Sequence, residues 1–297
     1  MENKILVIGD IHCINSRFNS LKISFNDICA KIKKQKFSRV ILLGDLFDKK
    51  PTATERCLLV DFINKLRKHT KRFDFIIGNG KHTFENESIH EQDWINLCSD
   101  FYQHEELEIG NFVFTHSEFK GLTYVNGHKS SSQRKADPDK VYVSGHIHSG
   151  EKCSFNNVNY AGSIYKTSFA EISDVKRIAI IEGSKLTWIP IKSFPMYEIK
   201  LVGDSGKIKA SGLKQLKEAE AKCIDLKIKV ETDSTTLGEI HRTINKIKNK
   251  YKTEYYIDDI KIKEIKTDIP EDLDQTALLI NFCKQKKVNY KLIEKEL

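Results

Sequence analysis

The first half of the chain alternates between short apolar runs and polar turns that are rich in glycine, histidine and aspartate. The apolar runs have the continuous character of strands buried on both faces of a sheet. They are Lys4–Gly9, the first part of Arg39–Asp48, Phe73–Ile77, Asn111–Phe114 and Val141–Val143. Between them, apolar residues recur at helical spacing, and the predicted helices are Ile23–Ile32, Cys57–Leu66 and Trp94 to Phe101. This order predicts an α/β fold, with a polar and basic surface loop over Gly127–Asp139.

The pattern changes after Phe194-Pro195. Strands and helices alternate in the order β-α-β-α-β, which predicts a small α+β domain. The predicted elements are Tyr197–Leu201, Leu213–Lys222, Ile224–Val230, Leu237–Ile247 and Tyr255–Ile265. After Pro270, the segment Leu273–Cys283 has one apolar side at helical spacing, as expected for a terminal helix that docks on its own domain or binds a partner. We therefore predict domains at 1–193 and 194–268 and a helical segment at 269–297.

Polar side chains follow each of the predicted strands of the first domain, at the point where the strand ends. They are Asp10, His12, Asp45, Asn79, His116, His146 and His148. Each one alone could be an ordinary loop residue, but the same placement after every strand points to a site, because open α/β sheets build their sites at the carboxyl ends of strands. Carboxylates mixed with imidazoles suit manganese, iron or zinc. The remaining histidines (His69, His90, His104, His128 and His241) lie in helical or loop contexts and are interpreted as structural.

Composition and charge narrow the class of protein. With 39% hydrophobic and 30% charged residues, the sequence is typical of a globular protein, and no run approaches the ~20 apolar residues that span a bilayer. The start, MENKILVIGD, lacks the features of a signal peptide, and the seven cysteines contain no CxxC pair, so we expect a reduced, cytoplasmic protein. The net charge of +8 suits an anionic partner such as nucleic acid, although a lysine-rich surface on an ordinary protein explains it equally well.

The motifs GDIH, GDLFD, GN, TH and GHIH, taken in order, resemble those of the calcineurin-like metallophosphoesterase superfamily. The resemblance implies an α/β protein with a two-layered β-sandwich core flanked by helices. It also implies two divalent metal ions, with Mn²⁺ as the expected metal. One would be held by Asp10, His12, Asp45 and His148, and the other by Asp45, Asn79, His116 and His146, with Asp45 bridging. Asp48 would support the site by hydrogen bonding.

One position departs from the family pattern. The family has a histidine directly after the motif asparagine, where it protonates the leaving oxygen, and this chain has Gly80 there. The next histidine is His82, which becomes the candidate general acid, with an ordinary loop residue as the alternative. General acid catalysis typically contributes 10²–10⁴-fold in rate, so the departure bears directly on activity.

A second resemblance selects a branch of the superfamily. Tyr160–Ser163 followed by Thr167–Glu171, and then the strand-like segments Arg177–Glu182 and Lys185–Ile191, resemble the nuclease subunit of SbcCD-type complexes. The resemblance implies a DNA exonuclease or endonuclease of repair or recombination. It also implies a homodimer, a capping domain, and an SbcC-type ATPase partner. The size and the lysine-, asparagine- and isoleucine-rich composition fit a version encoded by a phage, in the host cytoplasm, or by an AT-rich bacterium. The alternatives are a phosphoesterase for small molecules or cyclic nucleotides, and a catalytically impaired metal-binding scaffold for DNA.

Overall fold

The computed structural model describes residues 4–79, 101–204, 207–221, 225–232, 234–251 and 255–262. Three sheets make up its β structure. The first has six strands: β1 (Lys4–Ile8), β2 (Arg39–Leu42), β3 (Phe73–Ile76), β4 (Phe101–His104), β9 (Arg177–Glu182) and β10 (Lys185–Pro190). The second has four strands: β5 (Leu107–Ile109), β6 (Phe112–Thr115), β7 (Val141–Ser144) and β8 (Val158–Tyr160). The third consists of β11 (Met196–Asp204), β12 (Lys207–Ile208), β13 (Asp225–Thr232) and β14 (Tyr255–Ile262).

The six-stranded sheet has the order β10-β9-β1-β2-β3-β4. Its strands β1 to β4 run parallel to one another, and the hairpin β9–β10 adds to β1 antiparallel. Alternate residues of β1 enter different cores, since Leu6 and Ile8 pack on the helical side whereas Ile5 and Val7 pack against the second sheet. This burial on both faces is the physical reason for the continuous apolar runs in the sequence.

The helices of the first domain cover one face of that sheet. Helix α1 (Phe18–Ile32) buries Leu21, Phe25 and Ile28 in the same core as helix α2 (Ala53–Leu66). Both helices begin earlier than predicted. Helix α2 begins at Ala53 because Thr52 and Glu55 form a capping box, in which each side chain accepts a hydrogen bond from the other residue's backbone.

The four-stranded sheet packs on the other face of the six-stranded sheet. Phe112 and Phe114 of β6 share a core with Ile41 of β2 and Val7 of β1, so the two sheets form a two-layered sandwich. The outer face of the second sheet is covered by Phe119 and Leu122 and by the short helix α3 (Gly150–Cys153). The predicted fold class, an α/β protein with a sandwich core, is confirmed.

The third sheet and its helices have a core of their own. Helix α4 (Ala210–Ala221) and helix α5 (Ser234–Tyr251) alternate with β11, β13 and β14 in the predicted order. Ile199, Leu216, Ile228 and Ile240 belong to one apolar cluster, which supports a separate unit here. The boundaries at 193/194 and 268/269 stay predictions, and the terminal segment 269–297 lies outside the described residues.

The described residues also test the predicted loop, one end of the predicted helix from Trp94 to Phe101, and the expectation of no membrane-spanning segment. The loop over Gly127–Asp139 contains no helix or strand. Of the predicted helix from Trp94 to Phe101, residues 94–100 lie outside the described residues. The prediction is wrong at Phe101, because that residue begins β4 and its backbone pairs with Phe73 of β3. No helix in the described ranges is long and apolar enough to cross a membrane.

Candidate metal centre

The predicted ligands meet where the carboxyl ends of two sheets come together. Asp10 and His12 follow β1, Asp45 follows β2 and Asn79 follows β3, all from the six-stranded sheet. His116 follows β6, and His146 and His148 follow β7, all from the four-stranded sheet. The structure brings these side chains into two neighbouring groups of potential metal ligands, Asp10/His12/His148 and Asp45/His116/His146.

The first group joins β1 to the loop after β7. The Nε2 atoms of His148 and His12 are 2.9 Å apart, and Asp10 Oδ2 lies 3.9 Å from His148 Nε2. Asp10 and His12 are buried. Asp48 Oδ1 lies 3.5 Å from His12 Nδ1, which is the placement expected of a residue that supports His12 rather than one that binds an ion.

The second group surrounds the carboxylate of Asp45. His116 Nε2 lies 3.3 Å from Asp45 Oδ2, and Asn79 Nδ2 lies 3.3 Å from the same oxygen and 3.3 Å from His146 Nδ1. Asp45 Oδ2 is also 3.5 Å from His12 Nε2 of the first group. Asp45 therefore lies between the two groups, where a bridging carboxylate is required.

The donor set fits divalent metal ions. Asp10 Oδ2 and Asn79 Oδ1 are buried and accept no hydrogen bond from any residue that the structure describes, although a buried polar atom normally has a partner. Two nitrogens that bind one ion at about 2.1 Å each can lie as close as the Nε2 atoms of His12 and His148. Two ions held by these residues would supply a Lewis acid for a phosphate oxygen and a metal-bound water that is acidic near neutral pH.

The hydrogen bond between His116 and the backbone determines which ring nitrogen of His116 faces the centre. Its Nδ1 donates to the backbone oxygen of Leu43 at 2.5 Å, so Nε2 is directed at Asp45. Burial lowers the pKa of His116, but the nearby carboxylates of Asp45 and Asp10 outweigh it and raise the pKa to about 9. The same carboxylates that would hold an ion thus favour the protonated form of His116.

The backbone is strained at the ligand positions. Among the described residues other than glycine, positive φ angles occur at His12 (42°), Asp45 (44°), His146 (74°) and Asn156 (48°). Three of these four are predicted ligands. Left-handed backbone is unfavourable for residues with a side chain, and strain of this kind concentrates at functional sites.

Two glycines of the motifs are required because other parts of the chain approach their Cα atoms closely. A Cβ atom at Gly78 would lie 2.1 Å from Asp45 Oδ1, and one at Gly145 would lie 2.3 Å from the backbone oxygen of Leu43. The strand ends are thus too close together for any side chain at these positions. The glycines in the GN and GH motifs permit the ligands after neighbouring strands to meet.

Sequence reasoning missed the residues that hold the histidines in place. His146 Nε2 lies 3.0 Å from Glu118 Oε1, and His148 Nδ1 lies 2.9 Å from Thr167 Oγ1. Glu118 stands two residues after His116, but nothing in the sequence pairs it with His146. Thr167 belongs to the segment that resembles the nuclease branch, where no role had been assigned to it.

Of the other histidines considered in the sequence, two lie outside the described residues and two have structural partners. His82 lies outside the described residues, so its role as general acid stays a prediction. His90 lies outside them as well. His69 and His104 have structural partners, since His69 Nδ1 is 2.8 Å from the backbone oxygen of Gln35 and His104 Nε2 is 2.9 Å from Asp74 Oδ1.

An open groove of about 260 Å³ reaches the centre from the protein surface. Its lining includes Tyr124 and Val125 as well as His146 and His148 of the centre. Val125 is half exposed. A phosphoester that enters this groove would reach the two histidines of the GHIH motif directly.

Comparison with known proteins supports this interpretation of the site. The family model described as calcineurin-like phosphoesterase matches residues 3–150. No curated protein sequence matches the chain. Among solved structures, the chain is similar to a Pseudomonas putida nuclease, MPE, with 11% identity, a TM-score of 0.35, and coverage of 62% of this chain and 87% of that one.

A second solved structure has 11% identity and a TM-score of 0.34, and the match covers 65% of this chain and all of the other. These scores are too low to add to the assignment, which depends on the family match and on the ligand geometry. The matched residues contain every predicted ligand. Residues 3–150 therefore form a calcineurin-like phosphoesterase domain, and the protein is a hydrolase of that family.

Proposed function

We propose that this protein is a two-metal-dependent nuclease that hydrolyses phosphodiester bonds of DNA in repair or recombination. The observation that carries the proposal is the pair of ligand groups joined by Asp45. Two ions in adjoining sites suit the hydrolysis of phosphate esters, because the attacking and leaving oxygens can both be stabilised.

Two features favour DNA over a small phosphoester, and the net charge of +8 is compatible with both. The groove lined by His146 and His148 is open rather than enclosed, so a substrate longer than one phosphoester can extend beyond it. The segment that resembles the nuclease branch also contributes to the site, since Thr167 contacts His148 and Glu171 contacts Thr167.

The finer assignments depend on the resemblance alone. They are Mn²⁺ as the native metal, a homodimer, and an SbcC-type ATPase as the partner. The unit formed by β11 to β14 would then cap the catalytic domain and guide DNA to it, and the segment 269–297 would bind the ATPase. His82 would protonate the leaving oxygen in place of the residue at position 80.

The test is cleavage of linear duplex and hairpin DNA with added Mn²⁺, by the protein alone and with its ATPase partner. We expect the wild type to cut, and His148→Ala to be inactive. His241→Ala is the matched control, because His241 is exposed on helix α5 and lies outside the centre. His82→Ala should lower the rate by about 10²–10⁴-fold and leave Mn²⁺ binding unchanged.

The alternatives give different results. Hydrolysis of a chromogenic diester or a cyclic nucleotide without cleavage of DNA would replace the proposal with a small-molecule phosphoesterase. Binding of DNA and Mn²⁺ without hydrolysis of any ester, even with the partner, would leave a metal-binding scaffold. Unchanged cleavage by His82→Ala would remove that residue from the reaction.

A further inference from the structure

The two histidines of the GHIH motif face the centre with opposite ring nitrogens. His146 has Nδ1 on the side of Asn79, at 3.3 Å from its Nδ2 atom, and Nε2 on the side of Glu118. His148 has Nε2 on the side of His12 and Nδ1 on the side of Thr167. A neutral imidazole binds an ion through the nitrogen that lacks the proton, so each ring must be held in a different tautomer.

Glu118 determines the tautomer of His146. Its Oε1 atom accepts from the hydroxyl of Tyr124 at 2.5 Å and lies 3.0 Å from His146 Nε2. Its Oε2 atom accepts from the hydroxyl of Ser130. A carboxylate surrounded by donors accepts from His146 Nε2–H, and this leaves Nδ1 free to bind an ion.

A chain of three residues determines the tautomer of His148. The hydroxyl of Thr167 donates to Glu171 Oε1, so its oxygen must accept from His148 Nδ1–H at 2.9 Å. That leaves His148 Nε2 without the proton. Glu171 is only 3% exposed, and its other oxygen accepts from Lys176, an equally buried residue whose Nζ also donates to Ser163 Oγ at 2.9 Å.

Each of these two sets of contacts involves a histidine of a different ligand group. His146 belongs to the group around Asp45, and His148 belongs to the group with Asp10 and His12. Glu118 and Thr167 come from separate segments, the first after β6 and the second after β8. A change at one of them therefore acts on one metal site through one histidine.

We propose that Glu118 and Thr167, the latter held by Glu171, are positioning residues that each serve one of the two metal sites. Glu118 prepares His146 for the ion shared with Asp45 and His116, and Thr167 prepares His148 for the ion shared with Asp10 and His12. The proposal rests on the two-ion part of the proposed function and is independent of DNA as the substrate. Hydrogen-bond partners of this kind typically change metal affinity by about 10–100-fold.

The test is calorimetric titration of the metal-free protein with Mn²⁺ alone. We expect two binding events in the wild type. Glu118→Gln should weaken one of them by about 10–100-fold and leave the other within threefold, and Thr167→Val should do the reverse. Thr167→Ser keeps the hydroxyl and should restore both events. Glu108→Gln is the matched control, because that glutamate is exposed and pairs with Lys140.

A double-mutant cycle separates positioning from general damage to the fold. In the background of His146→Ala, Glu118→Gln should have no further effect on the remaining event, whereas Thr167→Val should weaken it. Equal weakening of both events by either single variant, or additive losses from Glu118→Gln and His146→Ala, would overturn the proposal. Wild-type protein that binds two ions and cuts no DNA would refute the nuclease assignment alone, and wild-type protein that binds no Mn²⁺ would refute both.

Discussion

The substitution Gly78→Ala tests whether the close approach of the strand ends is what forms the metal centre. A Cβ atom at this position would lie 2.1 Å from Asp45 Oδ1 and 2.7 Å from Asp45 N. Real Cβ contacts are longer than 3 Å, so the carboxylate or the backbone after β3 must move by about 1 Å. Ligands act only within about 0.5 Å of their proper geometry.

We expect two effects from this displacement. Overpacking should lower the free energy of unfolding of the metal-free protein by about 1–3 kcal/mol. Movement of Asp45, which adjoins both ligand groups, should weaken both Mn²⁺ binding events and reduce ester hydrolysis by about 10²-fold. The measurements are urea unfolding in the presence of a chelator, calorimetric titration with Mn²⁺, and turnover of the substrate that the wild type cleaves.

Gly238→Ala is the matched control. Gly238 lies in helix α5, and no described atom beyond its chain neighbours and the backbone of its own helix lies within 4 Å of the added Cβ. The same change there should raise the free energy of unfolding by roughly 0.8–1 kcal/mol, because alanine favours helices, and should leave Mn²⁺ binding unchanged. Wild-type affinity for both ions in Gly78→Ala would show that the strand ends tolerate a side chain, and the reasoning would be refuted.

Three further predictions concern a buried histidine, bound Mn²⁺ and a buried ion pair. In the metal-free protein, the pKa of His116 is raised to about 9 by Asp45 and Asp10 despite burial. Its protonated form therefore stabilises the fold below the unfolded pKa of about 6.5, and this stabilisation, up to about 3 kcal/mol, is lost as the pH rises through 9. Urea unfolding with chelator at pH 6 and pH 9.5 measures the loss, and His116→Gln should show a smaller one. Mn²⁺ at 100 times its Kd should stabilise the wild type by about 2.7 kcal/mol per ion. Each ion should raise the Tm by about 5–10 °C, so the wild type with two ions should show a larger rise than His148→Ala in the same thermal scan. Lys176→Met leaves the buried carboxylate of Glu171 without its cation and should cost about 3–5 kcal/mol in urea unfolding. The partly exposed Lys152, which pairs with Asp174, should cost less than about 1 kcal/mol when changed to methionine.

The sequence predicts the strands and the candidate ligand positions because both depend on local pattern. Strands buried on two faces are continuously apolar, and a site at their carboxyl ends places its ligands in the next few residues. Asp10, Asp45 and His116 could therefore be found without knowledge of which strands pair. The start of helix α2 could also have been read from the T-A-T-E pattern at Thr52.

Other features could not be predicted from the sequence, because they depend on contacts between distant segments of the chain. An apolar run does not reveal its neighbours, so the division of the strands between two sheets was not predicted strand by strand. Phe101 lies in a strand because β3 offers it a partner. Glu118 and His146 are 28 positions apart in the chain, and the left-handed backbone at Asp45 depends on packing that no local pattern shows.

Each candidate metal site combines residues from both sheets, so a bound ion would be a cross-link between two layers. Asp10 and His12 come from one layer and His148 from the other; Asp45 comes from the first and His116 from the second. Neither site can form until the two sheets have docked, so the ability to bind metal depends on the packing of the two layers. A bound ion should accordingly slow the separation of the layers and protect the amides of β2 and β6 from hydrogen exchange together, as one cooperative unit.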